Sequence, residues 1–161
     1  LVLAVHALQT ACAAAGWAKL YHFPLFSSSR VVQTIVELGI TDVEIVPLKY
    51  KELKEEPYLS VNPHGTVPAY HEEGGLVLLE SAAIVTYLCE KYDVERRLLP
   101  SDPVQRARYY QFAHYAPATL YSKAGALYVH AWEFRDGSPG EKRRSQGAID
   151  SNKQWLKDHF V

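Results

Sequence analysis

The chain has 161 residues, 48% hydrophobic and 22% charged, with a formal net charge of −1. That is globular composition, long enough for one complete core and part of another. So balanced a charge gives no electrostatic basis for nucleic acid or an anionic membrane as partner, and no apolar run approaches the roughly 18 residues that span a bilayer.

The two cysteines, Cys12 and Cys89, make no disulfide framework, which fits a reducing, cytoplasmic setting. The seven histidines are scattered, without a pair at ligand spacing on one helix face, so no metal is expected. Leu1 to Ala18 is apolar, Ala-rich and uncharged except at His6. Ala11-Cys12-Ala13 resembles a small-residue cleavage site, yet there is no basic region before it and no initial Met. Residues 1–18 are therefore read as an incomplete start in preference to a targeting segment, and stand outside the fold.

From Lys19 the pattern becomes regular. Lys19 to Phe23 alternates as a short strand ended by Pro24, and Ser27-Ser28-Ser29 offers N-caps for a helix. That helix carries Val31, Val32, Ile35, Val36 and Leu38 and stops at Gly39. Thr41 to Pro47 reads as a second strand, and Leu48 to Val61 as a short irregular helix with loop. Asn62-Pro63-His64-Gly65 is a turn before a third strand from Val67. Glu72 to Gly75 turns the chain into a fourth strand, Leu76 to Leu79. Ser81 opens a helix burying Ile84, Val85, Leu88 and Tyr92, with Cys89 also in its apolar pattern.

The order β-α-β-(α)-β-β-α over residues 19–95 is a small α+β sandwich. A Pro-rich linker follows at 96–103, then a helical region at 104–161. The first helical stretch, Val104 to Trp132, is expected to bend at Pro117; the last is expected to start near Ser138-Pro139 and to bury Ile149, Trp155, Leu156 and Phe160. Two helices cannot enclose so aromatic a face, so this second domain reads as incomplete.

Three segments in register carry a family resemblance: Leu20 to Pro24 with Ser27 to Val31, Asn62 to Pro68, and Leu79 to Ile84 continuing to Tyr92. Together they resemble the amino-terminal domain of glutathione S-transferases, and Leu98 to Pro103 resembles that family's interdomain connection. The resemblance implies a thioredoxin-like domain followed by a partial all-α domain. It also implies glutathione as co-substrate without a metal, a small apolar electrophile as second substrate, and a homodimer with a role in detoxification.

It further implies a cis peptide bond at Val67-Pro68, with the N–H and C=O of Val67 pairing the cysteinyl backbone of glutathione as an added strand would. A helix N-terminus suits a carboxylate, so Ser81 would hold the γ-glutamyl carboxylate and Glu80 the ammonium. Lys54 is the candidate for the glycyl carboxylate. A hydroxyl donating to sulfur favours the thiolate nucleophile, and Ser27, with Ser28 second, is the candidate. Each serine also has a bland reading, as a helix cap.

Tyrosine-type members place their activating Tyr where this chain has His22, and Tyr21 should face the other way. No cysteine stands in the Phe26–Ser29 loop, which favours conjugation over disulfide exchange. The family's electrophile pocket lies between its domains. Here Tyr109, Tyr110, Phe112, His114, Tyr115 and Tyr121 would line it, although core packing is the expected use of that stripe. The expected activity is glutathione transfer to an electrophile. The alternatives are a non-catalytic dimerisation module of the same fold and a glutathione-dependent isomerase of the same family.

Overall fold

The computed structural model describes residues 18–131 and 145–160. Residues 1–17 of the expected 1–18 leader, Trp132, the Ser138-Pro139 helix start and the side chain of Phe160 lie outside the described residues.

Among the described residues, those up to Pro103 form one compact unit and those from Val104 another. In the first, β1 (Ala18–His22), α1 (Ser28–Glu37), β2 (Val43–Pro47), a 3₁₀ turn (Tyr50–Lys54), α2 (Tyr58–Val61), β3 (Ala69–Glu72), β4 (Val77–Leu79) and α3 (Ser81–Tyr92) follow in order. The sheet runs β2-β1-β3-β4. β1 and β2 are parallel, joined across α1, and β3 and β4 form the antiparallel hairpin. This is the expected thioredoxin-like α+β arrangement.

Ala18 belongs to β1, where it pairs Val43 and Glu72, so the strand begins one residue before the expected boundary and ends before Phe23. β3 likewise begins at Ala69, two residues after the expected start at Val67.

Strand alternation sends β1 side chains to two cores. Leu20 joins Val31, Val32 and Ile35 of α1 and Ile84 and Leu88 of α3 on one face. Tyr21 packs on the other with Leu53, Tyr58, Val67 and Ala69. Cys89 is fully buried, as its pattern suggests. A polar clamp ties α3 to the sheet: the Glu72 carboxylate accepts from Tyr70 (2.6 Å), Tyr87 (2.8 Å) and Lys91 (2.6 Å).

The segment after α3 is held by one buried carboxylate. Asp93 accepts the backbone N–H groups of Arg97 (2.9 Å), Leu98 (2.7 Å) and Leu99 (2.8 Å), and Leu99 is completely buried. Burial pushes the Asp93 carboxyl upward, but the N–H groups of Leu99, Leu98 and Arg97 outweigh it and hold the group below its ordinary value.

In the second unit, α4 (Pro103–Tyr115) opens with proline at a position that needs no N–H donor. A π-helical turn at Ala116–Leu120 contains Pro117 and interrupts the helix where a bend is expected. α5 (Tyr121–Ala131) packs with α6 (Gln146–Phe160). Ser145 caps α6 through its hydroxyl, which accepts the Ala148 N–H at 3.2 Å. Ile149 is buried, and Trp155 lies between Lys123 (5.7 Å from its ring) and a stacked His159 (4.3 Å).

Among the described residues α4 buries no side chain, and Phe112 is 67% exposed.

Candidate functional site

The site is built where three chain segments end at one edge of the sheet. At the first, β1 gives way to a tight loop in which Leu25 takes a left-handed backbone (φ +67°) and Phe26 packs edge-on against Phe23 at 4.8 Å. Ser28, the first residue of α1, is completely buried. Its Oγ accepts the Phe23 N–H (3.2 Å), donates to the Phe23 carbonyl (3.1 Å) and meets Nδ1 of His22 at 2.9 Å.

Ser27 is half-buried at the N-cap position, yet it does not cap α1. Its hydroxyl instead donates to the Val67 carbonyl at 3.0 Å, 40 residues away in sequence.

The second segment is a braced turn. Buried Asn62 donates from Nδ2 to the Thr66 carbonyl (2.7 Å) and accepts the His64 N–H at Oδ1 (3.1 Å), and the Tyr58 hydroxyl also donates to the Thr66 carbonyl. The Val67-Pro68 peptide bond that follows is cis. Among the described residues, the Val67 N–H makes no hydrogen bond.

Lys54 crosses this turn, its Nζ donating to the His64 carbonyl at 3.0 Å. Gly65 (φ +59°) leaves it room: a Cβ there would fall 2.5 Å from the Leu53 carbonyl oxygen and 2.8 Å from Lys54 Cδ. Gly65→Ala should therefore cost about 1–3 kcal/mol of stability, a backbone clash added to a left-handed φ. Denaturant unfolding checks this; a variant as stable as the parent would refute the tight crossing.

The third segment is the start of α3. Glu80 holds φ +69°, unusual for a residue with a long side chain, and its carboxylate is exposed. Ser81 follows, only 4% exposed, and its hydroxyl has no hydrogen-bond partner among the described residues. The first N–H groups of α3 point out of the same helix end, where the helix dipole favours an anion.

Strand register places these segments together. β1 pairs Tyr21 with Ala69, and β3 pairs Ala69 with Leu79. One residue further along, His22, Pro68 and Glu80 fall in a row across the sheet edge. Among the described residues no cluster of His, Cys, Asp and Glu could hold a metal ion.

Residues 20–97 match the family model described as glutathione S-transferase, N-terminal domain. Glutathione S-transferase D7 of Drosophila melanogaster is 35% identical over 127 residues, which are 76% of this chain and 55% of that one. The glutathione transferase F2 structure from Populus trichocarpa superposes with a TM-score of 0.72 at 31% identity, over 88% of this chain and 66% of that one.

The chain belongs to the glutathione S-transferase superfamily.

Maleylacetoacetate isomerase of Pseudomonas aeruginosa is also similar, at 37% identity over 94 residues, 56% of this chain and 44% of that one. The chain thus spans about half the length of these two curated relatives.

Within this transferase-family domain, the candidates fall into three groups. Ser27, Val67 and Pro68 are brought together, and Glu80 and Ser81 stand beside them through the strand register. Lys54 sits on the neighbouring turn and is committed to a backbone carbonyl. Ser28 is turned inward, all its hydrogen-bonding capacity spent within the loop. Sequence reading missed Tyr58 and Asn62, which brace the turn, and the link between His22 and Ser28. The Asn-Pro-His-Gly run was the available signal for Asn62, since an Asn side chain commonly bonds the backbone two residues on.

Proposed function

We propose that this chain binds glutathione at the row formed by Val67-Pro68 and Glu80-Ser81 and activates its thiol for transfer to an electrophile. The observation that carries this reading is Ser81: a buried hydroxyl without a partner, at the positive end of a 12-residue helix, beside a carboxylate held in a left-handed backbone. An amino-acid head group supplies what both residues lack, a carboxylate for Ser81 and the N–H groups of α3, and an ammonium for Glu80.

The extended cysteinyl segment then runs along Val67. Its N–H donates to the Val67 carbonyl and its carbonyl accepts the Val67 N–H. This displaces the Ser27 hydroxyl from the carbonyl it occupies and frees it to donate to sulfur. Ligand binding thus releases the group that stabilises the thiolate, the form that attacks. Lys54 serves the glycyl carboxylate as a point charge at the far end. The electrophile is a small apolar molecule, and the working unit is a cytoplasmic homodimer.

Conjugation of glutathione to a generic aromatic electrophile is the test. Ser27→Ala should lower kcat about 10²-fold with little change in glutathione affinity, the loss expected for a donor to a developing anion. Ser28→Ala should act on stability, leaving the Phe23 N–H and His22 Nδ1 without the partner they have here, at a cost of about 1–3 kcal/mol. Glutathione binding without turnover of any electrophile would leave a binding module of the same fold. Turnover of a cis-dienoic acid alone would favour isomerisation, as in the Pseudomonas relative's name.

A further inference from the structure

Ser28 Oγ has three polar neighbours and only one hydrogen. The Phe23 N–H can only donate and the Phe23 carbonyl can only accept. In this structure the hydroxyl donates to that carbonyl at 3.1 Å, beside the Phe26 N–H that the same oxygen accepts at 3.3 Å, and one lone pair takes the amide at 3.2 Å. With the hydroxyl hydrogen so placed, the second lone pair meets Nδ1 of His22 at 2.9 Å, and that nitrogen supplies the hydrogen between them. That placement makes neutral His22 the Nδ1–H tautomer, with its basic lone pair on Nε2. Nε2 has no hydrogen-bond partner among the described residues.

His22 also stands in the right place. The register sets it beside Pro68, and its partner Ser28 is next in the chain to Ser27. Its neighbours across the sheet are Pro47 on β2 and Pro68, and Ser28 meets it from α1; none is ionisable. Glu80, before α3, is the charged group along the row, two strands away. Burial lowers the His22 pKa, so the ring is neutral near pH 7.

We propose that Nε2 of His22 is the base that accepts the thiol proton of bound glutathione. This rests on the glutathione reading above and adds a second group to it. The S–H bond breaks, its electron pair stays on sulfur, and the proton bonds to the Nε2 lone pair. The imidazolium keeps its Nδ1–H bond to Ser28 and stands as the counter-charge to the thiolate, to which Ser27 donates. The thiolate then forms the new C–S bond, the leaving group departs with its electron pair, and the imidazolium returns its proton to water.

The test compares the whole chain with His22→Asn, whose side-chain amide can still donate to Ser28 but carries no base at the Nε2 position. Calorimetric titration with glutathione in two buffers of different ionisation enthalpy counts protons released, and ultraviolet absorbance follows the thiolate. S-methylglutathione serves as a probe without a thiol proton.

In the parent, thiolate should form near pH 7 with no proton released to the buffer. His22→Asn should bind S-methylglutathione as the parent does but form roughly tenfold less thiolate, one pKa unit of lost stabilisation. Equal thiolate in both proteins, or a full proton released by the parent, would overturn the base role and leave the binding reading intact. Failure of both folded proteins to bind S-methylglutathione would overturn the two together. Should the Asn variant fail to fold, the parent's proton count decides by itself.

Discussion

Ser81→Ala is expected to weaken glutathione binding roughly 10- to 100-fold while leaving the unliganded chain as stable as its parent. The two halves of this result come from one fact. The Ser81 hydroxyl is buried without a hydrogen-bond partner among the described residues, so removing it breaks nothing in the free protein. Against a bound carboxylate the same hydroxyl makes a charge-assisted hydrogen bond, worth about 1.5–3 kcal/mol.

Glu80 sharpens the prediction. Glu80→Gly should raise the stability of the free chain by about 1 kcal/mol, since φ +69° costs a side-chain-bearing residue what glycine does not pay. It should also weaken glutathione binding through loss of the ammonium partner. Calorimetric titration paired with denaturant unfolding reads both quantities. Weakened binding that follows lost stability in either variant would make this helix start a structural cap and remove the head-group site.

Asp93→Ala should cost about 3 kcal/mol at pH 7. Three backbone N–H groups lose their acceptor, and the fully buried Leu99 loses the anchor that holds it. The pH dependence follows from the direction of the shift. The Asp93 carboxyl is held below its unfolded value of 3.8, so the charged form's contribution is complete above that value. It is lost as pH falls below 3.8 and through the folded-state pKa. The stability gap between parent and variant should therefore be constant from pH 7 to about 5 and shrink on further acidification. Denaturant unfolding over that range measures it, and a gap that stays unchanged down to pH 3 would show that the carboxylate's charge is not what holds the segment.

The sheet and its two flanking helices were legible because their signals are local. Val31, Val32 and Ile35 repeat at helical spacing, Leu20 and Tyr21 alternate between two faces, and Glu72 to Gly75 is unmistakable turn chemistry. The errors fell where a distant group decides. Ala18 looked like part of an apolar leader, and only its pairing with Val43 and Glu72 makes it strand. Ser27 and Ser28 are neighbouring hydroxyls that residue type alone does not separate. In the fold one is spent on its own loop and the other reaches Val67, because the first turn of α1 points adjacent side chains about 100° apart.

Element order, the α+β class, the family and the three segments from which a glutathione site would be made can all be read from the residues alone. These depend on residue type and short-range spacing, which the chain carries wherever it is placed. Which groups in those segments have capacity left to bind depends on the folded chain. Ser81 without a partner among the described residues, Ser28 bonded within its own loop, Ser27 resting on Val67 and His22 against Ser28 are all outcomes of contacts between residues distant in sequence or turned by the fold. A hydrogen bond is a relation between two groups, and no residue's own identity records whether its partner is present.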